Sequence, residues 1–178
     1  ESKKGLSSGS TCLLNLMYKF KDEVHFNTVN LGDCRLVIVY KNGTNKQITT
    51  DHKPEDVIEM KRINKLGGEV YNDSEGTARV GDLSVARAFG DGDNAPYISQ
   101  VPDVHYNRIT PQTKYIVMAC DGLWDVLDNQ SVVNFIISHC YDMECNRMNK
   151  KTNIARMLAE LALKKGSTDN ITVIVVFF

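Results

Sequence analysis

Between positions 11 and 40, short apolar runs alternate with polar turns. The segments 11–17, 24–30 and 35–40 are rich in β-branched and apolar residues, a pattern typical of successive strands. We therefore expect these three segments to form an antiparallel sheet.

Helical periodicity replaces this pattern between positions 51 and 68. Pro54 suits the first helical turn, and Gly67 suits the helix end. Apolar residues recur there at every third position, so one face of the helix is predicted to be buried. This face comprises Val57, Met60, Ile63 and Leu66.

Further along, two apolar runs flank two amphipathic helices. The runs are 115–120 and 171–178, and the second is so uniformly apolar that we expect it to be buried. One helix follows a cap at Asp128 or Asn129, and the other spans about 152–165, with a stop at Gly166. The residues expected to face inward are Val132, Val133, Ile136, Cys140, Ile154, Met157, Leu158 and Leu161.

The segment 71–81 is rich in Asn, Asp, Ser, Gly and Thr without periodicity, and it is predicted to be a mobile surface loop. The chain thus contains strands, a helix, more strands, two helices and a final apolar strand. This order predicts an α+β fold in which helices cover sheets that pack face to face.

Composition narrows the class of protein. A chain of 178 residues that is 42% hydrophobic fits one globular domain or most of one. A net charge of -1 argues against partners such as nucleic acid or an anionic membrane surface, and the basic cluster at 147–151 is predicted to be a solvated surface. There is no membrane-spanning apolar run and no CxxC pair among the five cysteines. We therefore expect a soluble cytoplasmic or nuclear protein with free thiols.

Four aspartates lie at or near the ends of predicted core strands. Asp33 is in a Gly-containing turn, Asp121 ends the run 115–120 and precedes Asp125 by four residues, and Asp169 precedes the last strand. Turn or helix-cap chemistry explains each one alone. Together, with no His or Cys cluster to favour a softer metal, they indicate a site for Mg²⁺ or Mn²⁺.

Seven ordered sequence blocks extend from about position 6 to the C-terminus. They are SSGSTC (7–12), NLGDCR (30–35), TDHKP (50–54), Glu59 with RI (62–63) and GG (67–68), DLSVARAFGD (82–91), ACDGLWDVL (119–127) and GSTDNITVIVV (166–176). Their order and spacing resemble the catalytic domain of metal-dependent serine/threonine protein phosphatases of the 2C type. Seven ordered blocks are far more specific than a single Gly-Asp or Asp-Gly pair.

The resemblance implies a four-layer α-β-β-α sandwich that is incomplete at its N-terminus. Residues 1–178 would form a single partial catalytic domain, with 71–81 as a flap-like loop beside the cleft. The implied reaction is hydrolysis of phosphoserine and phosphothreonine in proteins by a metal-activated water. Two core Mg²⁺ or Mn²⁺ ions would use Asp121 and Asp169, and Asp33 and Asp125 would serve a third, more weakly held ion.

The family's N-terminal blocks have no counterpart in these 178 residues. They carry the phosphate-binding arginine, the central bridging aspartate and the general-acid histidine, so no catalytic residue beyond the metal ligands is assigned. We expect reduced metal affinity, and activity of the chain alone is not assured. His25 is predicted on a strand face, His105 in a loop and His139 on a helix surface or in a packing position, none of them catalytic.

Phosphoprotein substrates are the partners that this resemblance implies. The missing strands and helix would also leave sheet edges and apolar surface to be covered by a complementary N-terminal segment or a second copy. Two other functions stay open: a non-catalytic pseudophosphatase or binding module, and a purely structural cation-binding domain. Retention of all four aspartates favours the enzyme.

Overall fold

A computed structural model describes residues 8–142 and 152–178 of the chain. Cys145 and the predicted basic surface at 147–151 lie outside the described residues. The elements are β1 (Gly9–Ser10), β2 (Cys12–Phe20), β3 (Glu23–Leu31), β4 (Arg35–Tyr40), β5 (Asn45–Gln47), α1 (Val57–Lys65), β6 (Tyr71–Asn72), β7 (Ala78–Arg79), β8 (Phe89–Gly90), a 3-10 turn (Gly92–Asn94), β9 (Asp103–Ile109), β10 (Thr113–Ala119), α2 (Asp121–Trp124), α3 (Asn129–Cys140), α4 (Ile154–Lys164) and β11 (Val173–Phe177). The predicted α+β fold class is confirmed.

The chain divides into two compact units, each built from three stretches of sequence. The assignment of 1–178 to one partial catalytic domain stays a prediction. The first unit comprises Glu1–Met17, Asn27–Cys34 and Thr50–Tyr106, and the second comprises Tyr18–Phe26, Arg35–Thr49 and Asn107–Phe178.

A four-stranded sheet of order β11-β10-β4-β5 organises the second unit, and its neighbouring strands are all antiparallel. Every residue of β10 is buried. Helices α3 and α4 begin at the caps Asp128 and Asn153, whose side chains accept backbone N–H groups of the first turn. All four residues predicted to face inward from α3 are buried, and the four predicted from α4 are buried or pack against the same core. Both helix predictions are confirmed.

The prediction that 11–17, 24–30 and 35–40 form one sheet is wrong. Strands β2 and β3 belong to a three-stranded sheet with β9, whereas β4 pairs with β10 and β5. The chain leaves β3 through a turn at Gly32, whose φ of 111° is open to glycine but not to ordinary L-residues. Local sequence patterns predict strands but do not specify which sheet each strand joins.

Strand β9 was missed by the sequence reasoning, and His105 lies in this strand rather than in a loop. Exposed and half-buried residues alternate along β9, as polar and apolar types partly do in the sequence. This alternation is the signal that would have found the strand. His25 lies in β3 and His139 is exposed on α3, as predicted.

Two buried faces differ from prediction. In α1, which begins after the cap Asp56 rather than at Pro54, Val57 and Leu66 are exposed, and the fully buried residues are Glu59 and Ile63. The buried face of α1 therefore differs from the predicted apolar face, because it includes the Glu59 carboxylate paired with two arginines. A search for apolar periodicity cannot find such a buried charge.

The last strand, β11, is not wholly buried either, because it lies at the edge of its sheet. Val173, Val175 and Phe177 pack on the core of the second unit, whereas Ile174 is half-exposed. Exposed apolar side chains also occupy alternate positions of β2, from Leu14 to Phe20. In the described parts of the chain, no helix is long and apolar enough to cross a membrane.

The segment 71–81, predicted to be an irregular mobile loop, contains a short hairpin in which β6 pairs with β7. The Asp73 carboxylate accepts the N–H groups of Glu75 and Thr77 at 2.9 and 3.0 Å and the Arg79 Nε–H at 2.6 Å. These hydrogen bonds, first of all that from Arg79, lower the pKa of Asp73. One carboxylate therefore organises a turn whose composition alone suggested no structure.

Candidate functional site

Asp121 and Asp125 lie on one short helical turn of the second unit. Strand β10 ends at Ala119, Cys120 is the extended N-cap residue, and Asp121 is the first residue of α2. The Asp125 N–H donates to the Asp121 carbonyl oxygen at 2.8 Å. Asp121 is half-buried and Asp125 is exposed. The four-residue spacing thus spans one helical turn, as the sequence suggested.

The loop that carries Asp169 packs directly against this turn. Ser167 Oγ donates to the Gly122 carbonyl oxygen at 2.7 Å, and the Gly122 backbone lies against the carbonyl group of Asn170. Within the loop, Asp169 Oδ1 accepts the Asn170 N–H at 2.6 Å. The fold therefore places side by side the two segments whose aspartates were predicted to bind the core metals.

Cys120 strengthens this junction through backbone and side chain, a role that sequence reasoning missed. Its N–H donates to the Thr172 carbonyl oxygen at 3.3 Å, and its sulfur accepts the Thr172 N–H at 3.2 Å. The thiol also donates to the Asn170 carbonyl oxygen at 3.1 Å. A residue that could have been a simple small hydrophobe thus ties β10 to the Asp169 loop.

Replacing Gly122 with alanine tests whether this close packing supports the site. A Cβ atom on Gly122 would lie 2.4 Å from the Asn170 carbonyl oxygen, so one of the two backbone segments must move. We expect Gly122→Ala to lower the free energy of unfolding by about 1–3 kcal/mol, the typical cost of overpacking. Urea unfolding would measure this loss. A variant as stable as the parent chain would contradict the tight packing of the two segments.

Trp124, the last residue of α2, and Arg35 make further contacts that stabilise this helical turn. The Trp124 indole N–H donates to the Ala119 carbonyl oxygen at 3.1 Å, and the Arg35 guanidinium lies 5.0 Å from the centre of the indole ring. Arg35 also donates to Asn129 Oδ1 at 2.8 Å, which links it to the start of α3. Neither residue has a role predicted from sequence, although Arg35 lies in the NLGDCR block and Trp124 in the ACDGLWDVL block.

Asp33 belongs to the first unit and is buried in the turn after β3. The preceding residue, Gly32, cannot be replaced easily, since a Cβ there would lie 2.3 Å from the Thr11 side chain. The Gly32 N–H donates to His52 Nδ1 at 3.0 Å, and Asn30 Nδ2 donates to the Gly32 carbonyl oxygen at 3.1 Å. The predicted Gly-containing turn is confirmed, and it is held by nearby Asn30 and by His52, which is 20 positions away.

A partly buried network of charged side chains extends from His52. His52 is 1% exposed, and its Nε2 lies 3.1 Å from Asp103 Oδ2. Arg87 donates to Asp103 Oδ1 at 2.9 Å and to Glu59 Oε1 at 2.8 and 2.5 Å. Arg62 donates to Glu59 Oε2 at 2.9 Å. We call these five residues, His52, Glu59, Arg62, Arg87 and Asp103, the Glu59 network.

Charge pairing in the Glu59 network outweighs the effect of burial. Burial alone would raise the pKa of Asp103, but hydrogen bonding from His52 and the charge of Arg87 bring that pKa below its ordinary value. Burial would lower the pKa of Arg87, but Glu59 and Asp103 raise it. Both groups therefore stay charged at neutral pH, and the network contains two cationic and two anionic side chains.

The described residues contain the predicted carboxylates but no complete metal-binding group. Across 8–142 and 152–178, no three His, Cys, Asp or Glu side chains form a group that could hold a metal ion. Asp121 and Asp169 lie on adjoining segments and carry carboxylate oxygens, the donor type with which proteins hold Mg²⁺ or Mn²⁺ when water fills the remaining positions. The second unit therefore fits a partial site for a hard cation.

A protein-family model and individual related proteins point to the same family. The family model "Protein phosphatase 2C" matches residues 1–171. The chain is 40% identical over 171 residues to the PP2C-like domain-containing protein R307 of Acanthamoeba polyphaga mimivirus, covering 86% of this chain and 94% of that protein. It is 36% identical over 151 residues to protein phosphatase 2C homolog 1 of Saccharomyces cerevisiae, covering 84% of this chain and 48% of the yeast protein. The chain thus spans about half the length of its yeast relative.

Solved structures show the same relationship. A serine-threonine phosphatase 2C from Toxoplasma gondii matches with a TM-score of 0.70 and 31% identity, covering 88% of this chain and 56% of that chain. A C. elegans sex determining protein matches with a TM-score of 0.83 and 26% identity, covering 96% of this chain and 40% of that chain. On the evidence of its sequence blocks, its fold and these relatives, the chain belongs to the protein phosphatase 2C family.

Proposed function

We propose that the protein containing this chain hydrolyses phosphoserine and phosphothreonine in proteins, in a reaction that depends on Mg²⁺ or Mn²⁺. The observation that carries the proposal is the packing of the Asp121 turn against the Asp169 loop. Two sequence blocks separated by about 40 residues meet there through the contacts of Gly122 with Ser167 and Asn170. Family membership supports phosphatase chemistry.

In this proposal, Asp121 and Asp169 bind the core ions. Asp125 of the second unit and Asp33 of the first unit are each proposed, separately, as a ligand of a weakly held ion. When bound, the ions would neutralise charge on the phosphoryl oxygens and activate the attacking water. The chain's own contribution is to fix the carboxylates in place: the Asn170 N–H orients Asp169, and Trp124 anchors the turn that carries Asp121.

The β6–β7 hairpin is the proposed flap that contributes to substrate choice. Its Asp73–Arg79 pair gives this flap a defined shape. Because the Arg79 side chain is already bound to Asp73 and to the Asp82 carbonyl oxygen, it is engaged within the flap. We therefore propose that the flap selects substrates mainly by shape.

A non-catalytic member of the family is the second candidate. The observation that favours it is that the described residues contain no group of three potential metal ligands. Such a protein would keep the fold and bind a phosphoprotein or another partner without turnover. Retention of Asp121 and Asp169 on adjoining segments favours the enzyme, since a scaffold has no need of that pair.

The single tryptophan of the chain makes the metal proposal testable. Trp124 lies between Asp121 and Asp125, so paramagnetic Mn²⁺ at Asp121 is expected to quench its fluorescence. We expect Asp121→Asn to raise the Mn²⁺ concentration needed for half-maximal quenching by about 10-fold or more, because one charged ligand is lost. Hydrolysis of a phosphothreonine peptide, measured with and without Mn²⁺, tests the reaction itself.

Asp128→Asn provides a matched control for Asp121→Asn. Asp128 caps α3 through the Ser131 N–H, and asparagine caps helices equally well, so Mn²⁺ quenching should be unchanged. Equal quenching and equal hydrolysis in the Asp121→Asn and parent chains would remove Asp121 from the mechanism. Mn²⁺ binding without hydrolysis would favour the non-catalytic candidate for this polypeptide.

A further inference from the structure

We infer that His52 is a positioning residue that fixes the Gly32–Asp33 turn, and with it the carboxylate proposed as a ligand of the weakly held ion. This inference rests on the proposed function for Asp33. His52 lies in the TDHKP block, which contains none of the proposed metal ligands. In the structure, His52 of this block contacts Gly32, the residue next to the proposed ligand Asp33.

His52 binds the Gly32 residue on both sides of its backbone. The His52 N–H donates to the Gly32 carbonyl oxygen at 3.0 Å, and the Gly32 N–H donates to His52 Nδ1 at 3.0 Å. Asn30 Nδ2 gives the Gly32 carbonyl a second hydrogen bond at 3.1 Å. The residue that directly precedes Asp33 is therefore anchored by groups 20 positions away.

The rest of the Glu59 network fixes the state of the imidazole ring. Because Nδ1 accepts the Gly32 N–H, the ring proton is on Nε2, from which it is donated to Asp103 Oδ2 at 3.1 Å. Arg87 holds the same Asp103 carboxylate through its other oxygen at 2.9 Å. An ion pair thus selects the tautomer that can accept the Gly32 N–H.

A closed circuit of hydrogen bonds prevents the ring from moving away. From Asp103 the contacts continue through Arg87 to Glu59 and then to Arg62. Arg62 donates to the Ala86 carbonyl oxygen at 2.8 Å. The Ala86 N–H in turn donates to the His52 carbonyl oxygen at 2.8 Å, which completes the circuit. Hydrogen bonds therefore hold both the backbone and the imidazole ring of His52, and the ring in turn holds the Gly32 N–H.

Precision at this turn affects Asp33 directly. Gly32 has a φ of 111°, which favours glycine, and the Thr11 side chain leaves no room for a Cβ atom at this position. No side chain of residue 32 could therefore hold the turn in place of His52. Asp33 is 3% exposed, so a displaced backbone would move a carboxylate that has little space to adapt. Groups that orient a metal ligand typically change metal affinity by about 10–100-fold when removed.

Two substitutions at His52 separate its two contacts. In His52→Asn, Oδ1 lies near the position of Nδ1 and can still accept the Gly32 N–H, while the link to Asp103 is lost. In His52→Gln, the longer amide can still donate to Asp103, while the acceptor for Gly32 is lost. If His52 acts through Gly32, His52→Asn should behave like the parent chain and His52→Gln should not.

NMR of the ¹⁵N-labelled chain supplies the readouts, which do not depend on catalysis. In the parent chain, we expect His52 to carry its proton on Nε2 and the Gly32 amide to exchange slowly. In His52→Gln, Gly32 exchange should be at least about 10-fold faster. The Mn²⁺ concentration that half-broadens the Asp33 amide signal should also rise about 10-fold, towards that of Asp33→Asn. In His52→Asn, both values should stay within about threefold of the parent values.

The outcomes separate this inference from the proposed function. A proton on Nδ1 in the parent chain overturns the inference without any variant, even if both variants fail to fold. Equal Mn²⁺ midpoints in the parent, His52→Asn and His52→Gln chains overturn it while leaving Mn²⁺ binding by the parent chain intact. Absence of Mn²⁺ broadening at Asp33 in the parent chain overturns both the ligand role of Asp33 and the inference. If His52→Gln is less stable than the parent chain but binds Mn²⁺ with unchanged affinity, the role of His52 is structural only, and the inference is overturned.

Discussion

Replacing Glu59 with glutamine is expected to lower the free energy of unfolding by about 3–5 kcal/mol, the range found when one member of a buried ion pair is removed. The Glu59 side chain is 2% exposed, and its two oxygens are shared by Arg62 and Arg87. Glutamine keeps the shape but leaves two largely buried guanidinium groups with one neutral acceptor between them. Since a domain is typically stable by only about 5–15 kcal/mol, urea unfolding should detect this loss readily.

Glu160 offers a matched control for the Glu59 substitution. It pairs with Arg156 at 2.9 Å on the surface of α4, where the two side chains are 50% and 75% exposed. Glu160→Gln should change the free energy of unfolding by less than about 0.5 kcal/mol, because exposed ion pairs contribute little. Equal small losses in the two variants would show that Glu59 is not the centre of a buried charge network.

A loss of about 2–5 kcal/mol is expected for Leu158→Ala, the second large effect. Leu158 is fully buried in the core that α4 shares with α3 and the sheet of the second unit. Alanine removes three carbon atoms and leaves a cavity that the surrounding core residues can fill only in part. The midpoint of urea unfolding should therefore fall without a change in the folded state's secondary structure, which circular dichroism measures.

Leu163 is the control for the core substitution, since it lies on the same helix and is 58% exposed. Leu163→Ala should leave stability within about 0.5 kcal/mol of the parent chain. If both leucine variants lost the same stability, burial of Leu158 would not explain the effect, since alanine is the better helix former at either position. A large loss confined to Leu158→Ala would confirm that α4 closes the core of the second unit.

Periodicity and residue type were sufficient to predict many elements of the chain. The cap at Asp128, the buried residues of α3 and the stop at Gly166 depend on interactions within about four positions, and the structure confirms them. The strand predicted at 115–120 was equally clear, because its six consecutive residues are apolar, and the structure confirms it as β10 (Thr113–Ala119). Ordered blocks also identified the family, which the comparisons confirm.

Sequence reasoning failed where one segment depends on a distant one. The 35–40 strand was assigned to the wrong sheet because pairing with β10 involves residues about 80 positions away. The buried face of α1 was misplaced because buried Glu59 pairs not only with Arg62 but also with Arg87, which is 28 positions away. The hairpin at 71–79 was missed for a different, local reason: one carboxylate, Asp73, orders it through contacts within six positions that leave no periodic pattern.

By itself, the sequence determined the family and the candidate ligands Asp33, Asp121, Asp125 and Asp169, because these depend on residue type and local spacing. Only the tertiary structure brought the Asp121 turn against the Asp169 loop and joined His52 to Gly32 and Asp103. The physical reason is that hydrogen bonds and charge pairing act over about 3 Å, whatever the separation along the chain. Contacts between residues 20 to 51 positions apart leave no periodic trace in a sequence.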